Sequence, residues 1–482
     1  MNQNRKINRM KVSNIMKTLF VCAASLMLAM VMSVSCQSDR NYEIKDGKIV
    51  YEIPQRPAGQ SNMIGYADVP IDTVRVGFIG LGMRGPSAVD RFTYIEGVEI
   101  VALCDLYEDR VENSQKILEN HGLPRAVGYS GEKGWMELCQ REDIDLVYIC
   151  TPWQTHVEMA VYAMNCDKHV AVEVPAAMSI EECWALVDTA EKTRRHCMML
   201  ENCCYDFFEL TALNMAQQGV FGEIIHGEGS YQHCLDPYWK DYQGNWRMDF
   251  NQKHRGDVYP THGLGPVCQV MNIHRGDKLD YLVSVDTDAF KGSEDAKALM
   301  GADTYANGDN TCTIIKTHKG KTILIEHGVV TPRPYSRMYQ ITGTEGLANK
   351  YPDPSFAVKT SRIPELEGKA EIEGLDAESY VNDELVDAIM AEYRHPILNE
   401  DSLVETAKRV GGHGGMDFIM DYRLIYCLRN GLPLDQDVYD AAEWSCMTEL
   451  SGVSCENGGM PVMIPDFTRG DWDKVQGFRL AL

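Results

Sequence analysis

Apolar side chains change their rhythm along this chain, and the change divides it. Between residues 74 and 200, short apolar runs alternate with stretches of helical period. The runs are Val74-Arg-Val-Gly-Phe-Ile79, Glu99-Ile-Val-Ala-Leu-Cys-Asp105, Leu146-Val-Tyr-Ile-Cys150 and His169-Val-Ala-Val-Glu-Val174. The stretches between them, such as 157–165 and 180–192, repeat their apolar residues three and four apart. Apolar strands joined by helices predict a parallel, doubly wound sheet covered on both faces. After about residue 205 the texture is different. Segments 223–231, 311–317, 321–327 and 337–343 are β-rich and separated by turns, with no regular helix between them. They predict a mostly antiparallel sheet in a second domain. Helical periodicity returns over 375–430, and the tail 455–482 is rich in Gly and Pro.

The N-terminus follows neither rhythm. Residues 1–35 carry five basic side chains and no acidic one, then a 14-residue apolar run from Leu19 to Met32 and the small residues Ser33-Val-Ser. A basic region, an apolar core too short to span a bilayer and small residues before a cleavage point predict a secretory signal. The small residues directly before Cys36 resemble a bacterial lipobox, with Ser33 where Leu is usual. By that likeness Cys36 becomes a lipidated first residue, and the protein is exported and held on a membrane. Residues 36–70, polar and punctuated by Pro54, Pro57, Gly59, Gly65 and Pro70, read as linker and lead-in.

Composition narrows the partners. The 482 residues include 46 Lys and Arg against 70 Asp and Glu, a net charge of −24. Such a surface repels phosphate backbones, so nucleic acid is excluded and membrane contact is expected only through Cys36. Export favours disulfides, yet Cys104, Cys150 and Cys197 sit in apolar runs, and most of the 16 cysteines read as buried thiols. No Cys-x-x-Cys pair occurs, and the spacings of His226, His233, His254 and His274 match no zinc template, so no metal site is expected.

Candidate chemistry starts at Gly80-Leu-Gly82-Met-Arg-Gly85, which follows the first strand and opens a helix. In that context Gly80 permits a tight turn, Gly82 admits a pyrophosphate and Gly85 allows helix and strand to pack closely. Asp105, 20 residues after Gly85 at the end of the next strand, would bind the ribose hydroxyls and favour NAD over NADP. Arg84 and Arg110 are cations that could alter this choice. Two further strand ends point into the same crevice. Thr151-Pro-Trp-Gln-Thr-His156 brings Trp153 and His156 toward the nicotinamide half, and Glu173-Val174-Pro175 follows the next strand. The expected fold is therefore α/β. A Rossmann dinucleotide-binding domain (71–204) precedes an α+β substrate domain with an open, mostly antiparallel sheet and C-terminal helices (205–482).

These motifs together resemble the glucose–fructose oxidoreductase and inositol dehydrogenase superfamily. Many of its members carry a catalytic Lys between the Glu and Pro, where Val174 stands here. A narrower likeness runs through Trp153-Gln-Thr-His156, Glu173-Val-Pro-Ala-Ala177, Glu201-Asn-Cys-Cys-Tyr205, Gly229-Ser-Tyr-Gln-His233 and Trp246-Arg247. It continues through Tyr259-Pro-Thr-His-Gly-Leu-Gly-Pro266, Pro332-Arg-Pro-Tyr335 and Gly412-His-Gly-Gly-Met-Asp417. This set resembles glycoside hydrolase family 109, the NAD-dependent α-N-acetylgalactosaminidases. The resemblance implies tightly held NAD bound by Met83, Arg84, Asp105, Trp153, His156, Glu173, Val174 and Asn202. It implies a sugar pocket of Tyr231, Arg247, Tyr259, His262 and Tyr335.

Most glycosidases use two carboxylates, and NAD-dependent families are exceptions. The route implied is oxidation of the sugar at C3, elimination of the C1 substituent, addition of water and re-reduction, leaving NAD unchanged. Such a cycle needs a base at the C3 hydroxyl, for which His262 is suited, and a second proton carrier, for which Tyr231 is the candidate. The two roles could be exchanged. His262 is expected in a turn-rich segment. Glu201 reads as part of the NAD-facing segment, although a Glu201–Asp206 carboxylate pair is conceivable, and Asp417 reads as a helix cap. The competing expectations are a sugar dehydrogenase that releases NADH and a non-catalytic NAD-dependent sugar-binding protein. A homo-oligomer is compatible with the sequence.

Overall fold

The computed structural model describes residues 41–366 and 378–482. The signal and Cys36 lie outside the described residues. Residues 41–52 belong to a unit of their own, with strands β1 (Tyr42–Lys45) and β2 (Lys48–Tyr51) paired antiparallel. The intervening Asp46-Gly47 has φ of 51° and 75°, the left-handed pair that a two-residue hairpin turn requires. The stretch 36–70 is thus not all linker, and Asp-Gly between two β-rich runs was the signal for it.

From Ile53 onward the chain forms a second unit built on two sheets. The first contains β3 (Val74–Ile79), β4 (Val98–Asp105), β5 (Val127–Ser130), β6 (Leu146–Ile149), β7 (His169–Val172) and β8 (Cys197–Met199). Their order is β5-β4-β3-β6-β7-β8, all parallel. Val76, Phe78, Leu103, Val147 and Tyr148 are fully buried, as uninterrupted apolar strands require. The order reverses between β3 and β6, so their C-terminal ends open the crevice in which a dinucleotide binds.

The second sheet runs β9 (Ile224–Gln232), β10 (Leu279–Asp286), β11 (Thr311–Thr317), β12 (Thr322–Gly328), β13 (Gln340–Gly343), β14 (Gly346–Asn349), β15 (Ser355–Val358) and β16 (Val462–Met463) in sequence. Its spatial order is β16-β10-β11-β12-β9-β13-β14-β15, antiparallel except where β12 runs parallel to β9.

The expectation that no helix interrupts these strands is wrong. Helices Trp246–Lys253 and Thr261–Val270 lie between β9 and β10, and Lys291–Met300 lies between β10 and β11. Thr261–Val270 escaped notice because it contains Gly263, Gly265 and Pro266, poor helix formers, and is buried almost all round, so it shows no amphipathic stripe. Close packing overrides propensity here. A side chain on Gly263 would meet Ser230 N at 2.4 Å, and one on Gly229 would meet Gly263 O at 2.1 Å. Strand β9 and this helix cross glycine against glycine, which sets His262 beside Tyr231.

The C-terminal helix Val438–Glu456 opens with a capping box between Asp437 and Asp440 and is buried along most of its length. It serves both sheets. Ser445 Oγ accepts from Ala176 N (3.1 Å) and Ala442 O accepts from Cys183 Sγ (3.3 Å), while Ser454 Oγ accepts from Ser284 N (2.9 Å). The segment assigned to the substrate domain therefore also covers the first sheet. All cysteines among the described residues are free, and most are buried.

Candidate active site

The glycine turn after β3 shows three different constraints. Gly80 has φ of 92°, and a side chain there would lie 2.6 Å from Cys150 O; one on Gly85 would lie 2.0 Å from Gly80 O. Gly82 is different: the nearest atom to an added Cβ is the Arg110 guanidinium at 3.2 Å, with no backbone in the way. Two glycines close the turn and the third leaves room for a ligand at the first turn of helix Gly85–Phe92, whose leading N–H groups favour an anion.

Asp105, at the end of β4, accepts from Leu81 N (2.7 Å) and Tyr107 N (3.0 Å), with Arg110 Nη1 3.6 Å away. These bonds fix the carboxylate and leave lone pairs for ribose hydroxyls. Met83 is half-exposed at the turn. Arg84 donates from Nε to Glu173 (3.0 Å), and its Nη2 is 3.2 Å from Asp417, so it is held by two carboxylates and is not free for a 2′-phosphate. The donor set fits NAD.

Behind Arg84 lies a charge network that joins the first sheet to helix Met416–Asn430. Asp417 is fully buried, receives a hydrogen bond from Asn202 Nδ2 and lies 3.0 Å from His413 Nδ1 and 3.7 Å from Arg91. Burial alone would push its carboxyl up, but His413, Arg84 and Arg91 hold it well below the usual range. Asp417 is thus a buried counter-ion for the cofactor loop, not a helix cap. Val174 is buried, precedes a cis Pro175 and offers no proton-carrying group at this turn. His156 does not face the crevice as expected. It is fully buried, with Nδ1 and Nε2 each 2.8 Å from the carbonyls of Pro175 and Thr151, and so braces the turns after β6 and β7.

Trp153, after β6, starts an aromatic cluster. Its ring lies 5.6 Å from that of Tyr259, which stands 4.5 Å from Tyr231 and 4.9 Å from His262. Arg247 is enclosed by these rings, its guanidinium carbon 4.7 Å from Tyr259, 5.0 Å from Trp153, 5.2 Å from Tyr242 and 5.6 Å from Tyr231. Nη1 donates to Tyr242 OH (2.7 Å), while Nε and Nη2 are buried without a hydrogen-bond partner among the described residues. A buried cation with unused donors is a site for an acceptor-rich ligand. Tyr335 is less enclosed than expected. At 41% exposure, 6.5 Å from Tyr231, it stands at the exposed edge of the aromatic cluster.

His262 occupies the second position of helix Thr261–Val270, not a turn. Its Nδ1 lies 2.7 Å from Glu201 Oε1 and 3.0 Å from Oε2, and its Nε2 faces Tyr259 OH at 3.4 Å. Glu201 is fully buried. Burial pushes its carboxyl up, but His262, with help from Thr261 and the Cys203 N–H, brings it below the usual range. Glu201 therefore supports the imidazole rather than NAD, and it makes no pair with Asp206. Asp206 is 2.9 Å from Arg337 and 2.7 Å from Lys350. No sequence spacing announced Glu201, because its partner lies on a helix the pattern concealed. His233, which meets Tyr231 at 5.6 Å, was legible: two positions on from Tyr231, it falls on the same side of an extended chain.

Glu201, Cys203 and His262 bring donor atoms within 4.8 Å of one another. Arg337 Nη1 donates to Cys203 Sγ at 3.0 Å, and burial pushes that thiol up, so the sulfur is protonated beside a fixed cation. That is a poor setting for a second cation.

Residues 74–201 match the oxidoreductase family with an NAD-binding Rossmann fold, and residues 205–474 match the glycosyl hydrolase 109 C-terminal domain. Glycosyl hydrolase family 109 protein 1 of Bacteroides thetaiotaomicron is 57% identical over 453 residues, 93% of this chain and 96% of that relative. The apo scyllo-inositol dehydrogenase of Lactobacillus casei superposes with a TM-score of 0.56 at 14% identity, covering 82% of this chain and 99% of its own. A levoglucosan dehydrogenase in complex with NADH and L-sorbose gives 0.60 at 17% identity, covering 82% and 100%. With an NAD-binding Rossmann domain and the hydrolase C-terminal domain on one chain, this protein belongs to glycosyl hydrolase family 109.

Proposed function

We propose that this protein is an exported, lipid-anchored glycosidase that removes terminal α-linked N-acetylgalactosamine with NAD held and restored within each turnover. The observation that carries the reading is the Glu201–His262 pair, set against Tyr231 and Arg247 at the sugar end of the dinucleotide crevice. Bound NAD supplies a reversible two-electron acceptor for the C3 alcohol, and the resulting ketone makes the C2 hydrogen acidic enough to leave with the C1 substituent.

The protein's own groups then divide the proton work. His262 Nε2 takes the C3 hydroxyl proton, and the Glu201 carboxylate holds the ring tautomer and stabilises the imidazolium. Burial pushes the Tyr231 phenol up, with Arg247 offsetting only part of the shift. Tyr231 is therefore protonated at neutral pH; it gives that proton to the leaving oxygen, and its phenolate, beside Arg247, receives the C2 proton, so the phenol is restored as elimination ends. This assigns the C3 proton to His262 and the C2 and leaving-oxygen protons to Tyr231. Arg247 offers Nε and Nη2 to the acetamide carbonyl or a ring hydroxyl, and Trp153 and Tyr259 exclude water around it. Val174 leaves the Glu173 segment without the ammonium group a simple alcohol dehydrogenase of this superfamily would use.

The elimination route has an isotopic signature. Hydrolysis in heavy water is expected to place deuterium at C2 of the released sugar, read by mass spectrometry or proton NMR. Product without label at C2 would mean direct displacement at C1.

A further inference from the structure

The aromatic side chains around His262 continue outward past the sugar pocket. From Tyr231 the series passes to His233, with ring centroids 5.6 Å apart. His233 meets Tyr238 at 5.4 Å and Tyr335 at 5.2 Å, both edge to face at 84°. Burial falls along this path. Tyr231 is 7% exposed, whereas Tyr335 is 41% and Tyr238 45% exposed.

Both outer tyrosines directly follow a proline, Pro237 and Pro334, whose ring restricts the backbone that presents them. Tyr238 N also donates to Leu235 O at 2.8 Å, closing a turn. Rings held this firmly, yet left open to solvent beside a reaction site, contribute less to the core than rings turned inward. They are suited to meet a ligand that is itself half apolar.

We propose that Tyr238, His233 and Tyr335 form a second subsite, which receives the sugar on the leaving-group side of the scissile bond. An oligosaccharide chain would then be cleaved more efficiently than a simple glycoside, which cannot reach the outer rings. The inference rests on the glycosidase reading and deepens it. Arg247 and His262 lie at the Tyr231 end of the series, so the reacting sugar belongs there and the platform begins one ring farther out. A pyranose has a face of C–H groups and a rim of hydroxyls. Tyrosine and histidine rings match both, with flat apolar faces and polar edges. His233 has Nδ1 3.2 Å from Cys234 O, which leaves Nε2 for a sugar hydroxyl. Burial lowers its pKa, with Arg247 and His262 adding to the effect, so the ring is neutral; with Nδ1–H donating to the carbonyl, Nε2 accepts from a sugar hydroxyl.

The test compares the α-methyl glycoside of N-acetylgalactosamine with a trisaccharide ending in the same α-linked sugar, using the NAD-loaded protein and its Tyr238→Ala variant. The platform predicts that Tyr238→Ala lowers kcat/KM on the trisaccharide about tenfold, the scale of losing a tyrosine anchor. The methyl glycoside should be cleaved as before. Equal rates for variant and wild type on the trisaccharide overturn the subsite, as does an equal loss on both substrates. Calorimetric titration with the trisaccharide keeps the two proposals separable. If wild type cleaves neither compound, the glycosidase reading fails, and trisaccharide affinity unchanged by Tyr238→Ala then removes the platform as well.

Discussion

His262→Ala is expected to lose at least about a hundredfold in turnover, equivalent to about 2.7 kcal/mol of transition-state stabilisation, while retaining its dinucleotide. The imidazole sits at the start of helix Thr261–Val270, one residue before the glycine contact between that helix and β9. Alanine removes the ring without disturbing that contact. The cofactor loop is held by Gly80, Gly85, Arg84 and Asp417, and none of these touches His262. Rate and cofactor content should therefore separate. Steady-state kinetics together with dinucleotide extracted per protein chain provide the check. Wild-type turnover in the variant would remove His262 from the mechanism.

Glu201→Gln is expected to reduce kcat on the order of ten-thousandfold, comparable to replacing a histidine-orienting carboxylate by its amide. Shape is conserved, but the amide presents either an oxygen or an N–H to His262 Nδ1, and it no longer carries the charge that stabilises the imidazolium. Because Glu201 is fully buried and its carboxylate is engaged by His262, Thr261 and the Cys203 N–H, KM and cofactor content should change little. A merely structural role would instead appear as a lower Tm with kcat preserved in the molecules that remain folded. That outcome would reassign Glu201 from the reaction to the core.

Much of this architecture could be read before any coordinates, and the parts that could not have physical reasons. Strands β3, β4, β6 and β7 are apolar on both faces because helices cover both sides of a parallel sheet, so they appear as continuous runs. Gly80, Gly82, Gly85 and Asp105 were legible because a tight turn and a nearby carboxylate are local features. Helix Thr261–Val270 was not. Buried nearly all round, with two glycines and a proline, it violates both propensity and period. With the helix concealed, the pairing of Glu201 with a residue 61 positions away was concealed too. Asp417 had the same difficulty, since Arg84 lies far from it in sequence and only the fold of helix Met416–Asn430 onto the first sheet brings them together. His156 was misplaced for the opposite reason. A histidine at a strand end in the crevice region looks like a ligand, but here the ring is taken up by two main-chain carbonyls.

The family and the cofactor domain leave one claim on which the rest depends, that the bound dinucleotide returns to its starting state in every cycle. Purified protein should be incubated with 4-nitrophenyl α-N-acetylgalactosaminide and no added NAD, while nitrophenol release and the absorbance of reduced nicotinamide are followed together. Many turnovers of nitrophenol per protein chain are expected, with no net accumulation of NADH. Reduced nicotinamide accumulating in step with substrate loss would show an ordinary dehydrogenase. Sustained release by protein stripped of all dinucleotide would contradict the account outright.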